Sequence, residues 1–139
     1  MDLFIKKCAR YYVPFGRIIV GAYFVLAGIP KLFNLEFTAG MIEGVGFPVP
    51  MLFAILAVLI EVGGGLAIMI NRYSTQASLL LAGFVLMVSF PFHGPHLWAD
   101  DMMQNYTFMK NMALMGALLF MAAHLNDNRC AVTPTKKEV

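Results

Sequence analysis

The stretch LIEVGGGLAIM, residues 59–69, is apolar enough to lie inside a membrane, yet it carries a glutamate. An ionisable side chain at the centre of a span costs about 2.5–3.5 kcal/mol even on the gentler insertion scales. Glu61 therefore calls for a partner, and that partner must come from another apolar helix. The question is whether the rest of the chain supplies such helices, and with which charges.

It does. Of 139 residues, 60% are hydrophobic and only 13% charged, and the mean hydropathy is +0.73. Soluble domains lie nearer 45–50% apolar and about 25% charged. The composition fits a single integral membrane domain over 1–139. A formal net charge of +2 with no basic stripe excludes a nucleic-acid partner. Cys8 and Cys130 lie near opposite chain ends, form no CxxC pair and show no zinc spacing, so a reduced, non-catalytic pair is expected. The basic start runs into an apolar stretch that contains Arg17 and has no small-residue cleavage site. It reads as a retained first span and not as a removable signal peptide.

A hydrocarbon core of about 30 Å needs roughly 20 apolar residues in a helix. Four stretches qualify, at about 13–33, 50–70, 75–93 and 107–125. The separators are NLEFTAGMIEGVGFPVP, which is polar and closed by Pro48 and Pro50, then NRYST, then GPHLWADDMMQN. Without alternation of period two, a β-barrel is a poor fit. The expected fold is all-α: an antiparallel bundle of four transmembrane helices.

Lys6, Lys7, Arg10, Arg72, Arg129, Lys136 and Lys137 fall on one side of that zigzag, and Glu36, Glu43, Asp100 and Asp101 on the other. By the positive-inside rule both termini are cytoplasmic. Tyr11, Tyr12 and Tyr73 would then mark the inner interface, and Trp98 and Tyr106 the outer one.

At about 100° per residue, Arg17, Gly21, Phe24, Gly28 and Lys31 share one face of the first span, and Ala54, Ala57, Glu61, Gly65 and Ile68 one face of the second. Small residues on both faces allow close approach. Counted from the cytoplasmic ends of the apolar runs, Arg17 and Glu61 lie within about 5–10 Å in depth. An Arg17–Glu61 ion pair is therefore expected, either as a pin that fixes helix register or as part of a working site. Lys31, Lys110 and His93 then gather at the outer ends with excess positive charge. Such a cluster invites an anionic or polar headgroup, although both lysines could instead snorkel to lipid phosphates. No metal is expected. Pro95 separates His93 from His96, and His124 lies at the opposite end from His93, too far to share a haem iron.

The pieces FVLAGIPKLF (24–33), GVGFPVPM (44–51), EVGGGLAI (61–68), SFPFHG (89–94) and FMKNMALMGALLF (108–120) follow one another along nearly the whole chain. Together they resemble the DoxX family of small bacterial membrane proteins. The resemblance implies a four-helix bundle in the bacterial cytoplasmic (inner) membrane, associated with redox and respiratory systems. Relatives include the membrane subunit of thiosulfate:quinone oxidoreductases. Carried over by position, the family's polar residues fall on Arg17, Lys31, Glu61, His93, Lys110 and Asn111.

Three functional readings follow. In the first, the chain is a quinone-linked subunit in which Lys31, His93 and Lys110, with Asn111, meet the headgroup and Glu61 accepts a proton. The quinone is then the one candidate cofactor, with no covalent or metal group, and electrons are exchanged with a partner oxidoreductase subunit. In the second, the chain is a non-catalytic structural or assembly subunit, with membrane lipids and a partner subunit or further copies of itself as neighbours. The third, a small-anion carrier, is disfavoured because four short spans show no broken-helix repeat.

Overall fold

The computed structural model describes residues 2–130, with side chains described over 11–124. Lys6, Lys7, Cys8, Arg10, Arg129, Cys130, Lys136 and Lys137, on which the cysteine expectation and much of the charge asymmetry rest, have side chains outside the described residues. The fold is all-α, and among the described residues there is no strand. Helix α1 runs Asp2–Phe33, α2 Leu35–Gly44, α3 Pro50–Val58, α4 Gly64–Met69, α5 Ser74–His93 and α6 Met102–Cys130. A π-helical turn, Leu59–Gly63, joins α3 to α4 without a break, and a 3₁₀ turn, Pro95–Leu97, follows α5.

Among the described residues, four stretches are long and apolar enough to cross a membrane: Tyr11–Phe33, Pro50–Met69, Ser74–Leu97 and Met102–His124. They match the four expected spans. The chain is a membrane protein with an antiparallel bundle: α1 packs on the α3–π–α4 rod, the rod on α5, and α5 on α6.

Glycine sets the α1–α4 contact. A Cβ on Gly21 would meet the Gly65 carbonyl oxygen at 2.6 Å, and a Cβ on Gly65 would meet the Gly21 oxygen at the same distance. Seven residues further along α1, a Cβ on Gly28 would meet the Val62 and Glu61 side chains. The two small-residue faces read from the sequence are thus the packed ones. Ala54, Glu61, Gly65 and Ile68 are buried in the rod, and Phe24 is buried in α1. In a bilayer, where lipid tails are as apolar as leucine, close backbone approach and polar contacts hold helices together.

One separator differs from expectation. The segment 34–47, read as a loop, holds helix α2. Thr38, Ala39 and Ile42 recur at helical spacing and are buried. Ala39 and Ile42 pack with Ala54, Phe53 and Phe92 over the end of the bundle where α1 finishes and α6 begins. Ten residues carry too short an apolar pattern to stand out beside glycines and two glutamates.

Candidate functional site

Lys31 stands in the last turn of α1, where a cation also meets the favourable end of the helix dipole. Its Nζ donates to both oxygens of Glu61, at 2.5 and 2.7 Å. The Glu61 side chain is 8% exposed and that of Lys31 31%. The expected Arg17–Glu61 pair is therefore corrected: the partner of Glu61 is Lys31. The reason is register. Gly28 lies level with Glu61, and Arg17 is eleven residues further back, about 16 Å along the axis. Depth counted from the ends of the apolar runs misled because α1 continues to Asp2, well beyond its apolar part.

Glu61 sits inside the π turn. A π turn is a one-residue insertion that widens a helix locally, and such turns recur at functional sites. Here it shifts the angular position of the glutamate relative to Gly65 without ending the rod.

Two cavities meet at Lys31. One, of about 160 Å³, is lined by Lys31, Thr38, Ile42, Phe92 and His93 among others. The second, of about 140 Å³, is lined by Lys31, Glu61, Tyr23 and Asn111 among others. Lys31, Phe84 and Val88 belong to both linings. Asn111 Nδ2 donates to Ser89 Oγ at 3.0 Å, and Ser89 in turn donates to the Val85 carbonyl at 2.6 Å. That chain fixes the Asn111 carboxamide on α6 against α5.

His93 ends α5 and is held from two sides. The Trp98 indole donates to its backbone carbonyl at 2.9 Å. Its Nδ1 is 2.6 Å from Gln104 Oε1, while Gln104 Nε2 donates to Asp101 Oδ2 at 3.1 Å. An ionised carboxylate only accepts, so Asp101 sets the orientation of the Gln104 amide. The amide oxygen then requires a proton on His93 Nδ1. In the neutral ring this leaves Nε2 as an acceptor, and His93 lines the larger cavity. Asp101 Oδ1 also accepts from the Met103 amide at 2.8 Å, so the residue that caps α6 also orients the histidine.

Of the residues selected from sequence, Lys31, Glu61, His93 and Asn111 come together around the two cavities. Lys110 does not join them. It is exposed, with Nζ 5.7 Å from the centre of the Tyr23 ring. Arg17 lies toward the other end, between α1 and α6. The excess of positive charge expected around Lys31 is removed by Glu61. Sequence reasoning missed Gln104 and Asp101, although their spacing of three at the start of a helix is a capping-box signal. Ser89, Thr38 and Tyr23 gave no signal at all.

The profile of the DoxX family matches residues 13–94, which contain the ion pair and His93. This chain belongs to the DoxX family. It is 34% identical over 117 residues to the inner membrane protein YqjF of Escherichia coli (strain K12), covering 84% of this chain and 86% of that protein. It is 31% identical over 111 residues to the inner membrane protein YphA of the same organism, covering 77% and 78%. No solved structure matches. This DoxX chain thus offers a site with a lysine donor, a buried carboxylate and a histidine acceptor at the edge of apolar space.

Proposed function

We propose that this protein is a quinone-binding membrane subunit serving redox chemistry, with the headgroup at the cavity between Lys31 and His93. The observation that supports this reading most is the pairing of opposite polarities across apolar space. Lys31 has an N–H beyond the two used by Glu61, and His93 Nε2 is an acceptor. A ring bearing oxygens at opposite edges, reduced or oxidised, uses both. The volume favours a single ring: drug-sized ligands take about 300 Å³ or more, so an isoprenoid tail would leave between the helices into lipid. His93 Nε2 is the base toward a ring hydroxyl, and the Lys31–Glu61 pair is the internal group that exchanges a proton with an oxygen at the other edge. Electrons pass to or from a partner subunit.

The inner membrane setting of the relatives and the charge pattern support the same membrane for this chain, with cytoplasmic termini. The cavity then opens toward the periplasmic half. A structural subunit is the second reading, favoured by the commitment of Lys31 to Glu61, which pins α1 to the rod without any ligand. A small-anion carrier loses its motive once that pair is neutral.

Trp98 is the single tryptophan of the chain and bonds to the His93 backbone, so it reports on the cavity. Decylubiquinone titrated into detergent-solubilised protein should quench its emission saturably. His93→Leu should abolish saturation, and Lys31→Met should weaken binding at least tenfold. Linear, unsaturable quenching that is the same in all three proteins would leave the structural reading.

A further inference from the structure

We propose that the groove between the N-terminal half of α1 and the C-terminal half of α6 binds an anionic phospholipid, with Arg17 holding its phosphate. Arg17 lines this groove, and its Nε is buried with no hydrogen-bond partner among the described residues. The carboxylate that would have neutralised it, Glu61, is committed to Lys31. A guanidinium does not escape by losing its proton. A fixed charge within the apolar length of α1, one nitrogen of which faces the packing side, needs an anion, and no carboxylate among the described residues supplies it.

The groove says which anion. It measures about 320 Å³, twice the cavity at His93, and apart from Arg17 and His124 its walls are aromatic, aliphatic or glycine. Val13 and Val20 from α1 face Ala117, Phe120 and Met121 from α6. A Cβ on Gly16 would find nothing within 4 Å, so the wall beside Arg17 is open. Both helices are within their candidate spans here, so in a bilayer the groove would face lipid and not water. An occupant that brings an oxyanion for a guanidinium fork and methylenes for an apolar trough is an acidic lipid. A phosphodiester suits the depth: Arg17 lies about two turns inside the start of the apolar segment at Tyr11, within reach of a headgroup for an arm that snorkels outward. A zwitterionic lipid offers the same phosphate, but its own cationic group competes with Arg17 for it.

Full-length protein in nanodiscs of equimolar phosphatidylglycerol and phosphatidylcholine, released into mild detergent and weighed by native mass spectrometry, tests this. Wild type should retain phosphatidylglycerol over phosphatidylcholine by tenfold or more. Arg17→Met should bring the ratio near one, and Arg17→Lys should keep part of the preference. Ala117→Phe fills the trough with the charge intact and should also lose the bound lipid, which keeps the test decisive if the Arg17 variant folds poorly. Equal retention by wild type and Arg17→Met would overturn the proposal. So would undiminished phosphatidylglycerol on Ala117→Phe, or a wild-type preference for oleate over phosphatidylglycerol in a parallel disc.

Discussion

At the residue scale the central fact is that Glu61 is satisfied by Lys31. Removing one member of a buried pair leaves the other charge stranded, which costs about 3–5 kcal/mol, whereas removing both costs less. Glu61→Leu and Lys31→Met should each lower thermal stability in detergent strongly, and the double variant should recover part of the loss. Arg17→Leu combined with Glu61→Leu should be additive, because residues about 16 Å apart share no partner. Non-additivity in that second cycle would restore the pair expected from sequence. The charged residues that matter were legible because an ion inside an apolar run is conspicuous. Their pairing was not, because it depends on how far one helix slides past another, and an apolar run does not show where its helix begins. A second residue-scale prediction concerns His93. With ¹⁵N-labelled protein, the ring should be the Nδ1–H tautomer at neutral pH, with Nε2 bare. Gln104→Leu should remove this bias and yield a tautomer mixture, while Asp101→Asn, which lets the Gln104 amide turn over, should shift it toward Nε2–H. An unchanged ring spectrum in both variants would show that something other than the Asp101–Gln104 pair orients His93.

At the element scale, the fold depends on where backbones touch. Ala at Gly21 or Gly65 would put a methyl carbon 2.6 Å from a carbonyl oxygen of the facing helix, and a backbone cannot yield as a side-chain tip does. Either substitution should cost about 1–3 kcal/mol, the range for overpacking, and should loosen the Lys31–Glu61 contact above it. Gly83→Ala and Gly116→Ala meet nothing within 4 Å and should change stability by less than about 0.5 kcal/mol. Detergent melting curves of the four variants would separate the two classes, and equal shifts would argue against glycine contact as the hold between α1 and α4. The spans and their small-residue faces were readable because about 20 residues of continuous apolarity match the thickness of a bilayer and seldom occur in a soluble domain. Helix α2 and the π turn were not. The former spreads three buried residues over ten positions, and the latter differs from its neighbours only in the ladder of backbone hydrogen bonds, to which side-chain identity is nearly blind.

At the scale of the whole molecule, the two candidate sites lie toward opposite ends of one bundle, so their roles depend on which end faces the cytoplasm. Arg72 is exposed in the turn between α4 and α5, at the end where α1 begins and α6 finishes, and exposed Tyr11, Tyr12 and Tyr73 belong to that end. The opposite end exposes Glu36, Glu43, Asp100 and Asp101. Basic residues in short loops are retained in the cytoplasm, whereas acidic ones have little influence, so the proposed orientation rests on Arg72 and the basic chain ends. With the cytoplasmic termini proposed above, the Arg17 groove would lie in the cytoplasmic leaflet, and the Lys31–His93 cavity, under α2, in the periplasmic half. In that orientation, a proton released from the proposed quinone site at His93 would leave on the periplasmic side. In a background with Cys8 and Cys130 changed to Ser, single cysteines at Glu43 and Arg72 would be challenged with a membrane-impermeant maleimide. Intact cells should label Glu43→Cys alone, and permeabilised cells both. The reverse pattern would place the His93 cavity at the cytoplasmic face, where proton release would enter the cell and the Arg17 groove would meet the outer leaflet.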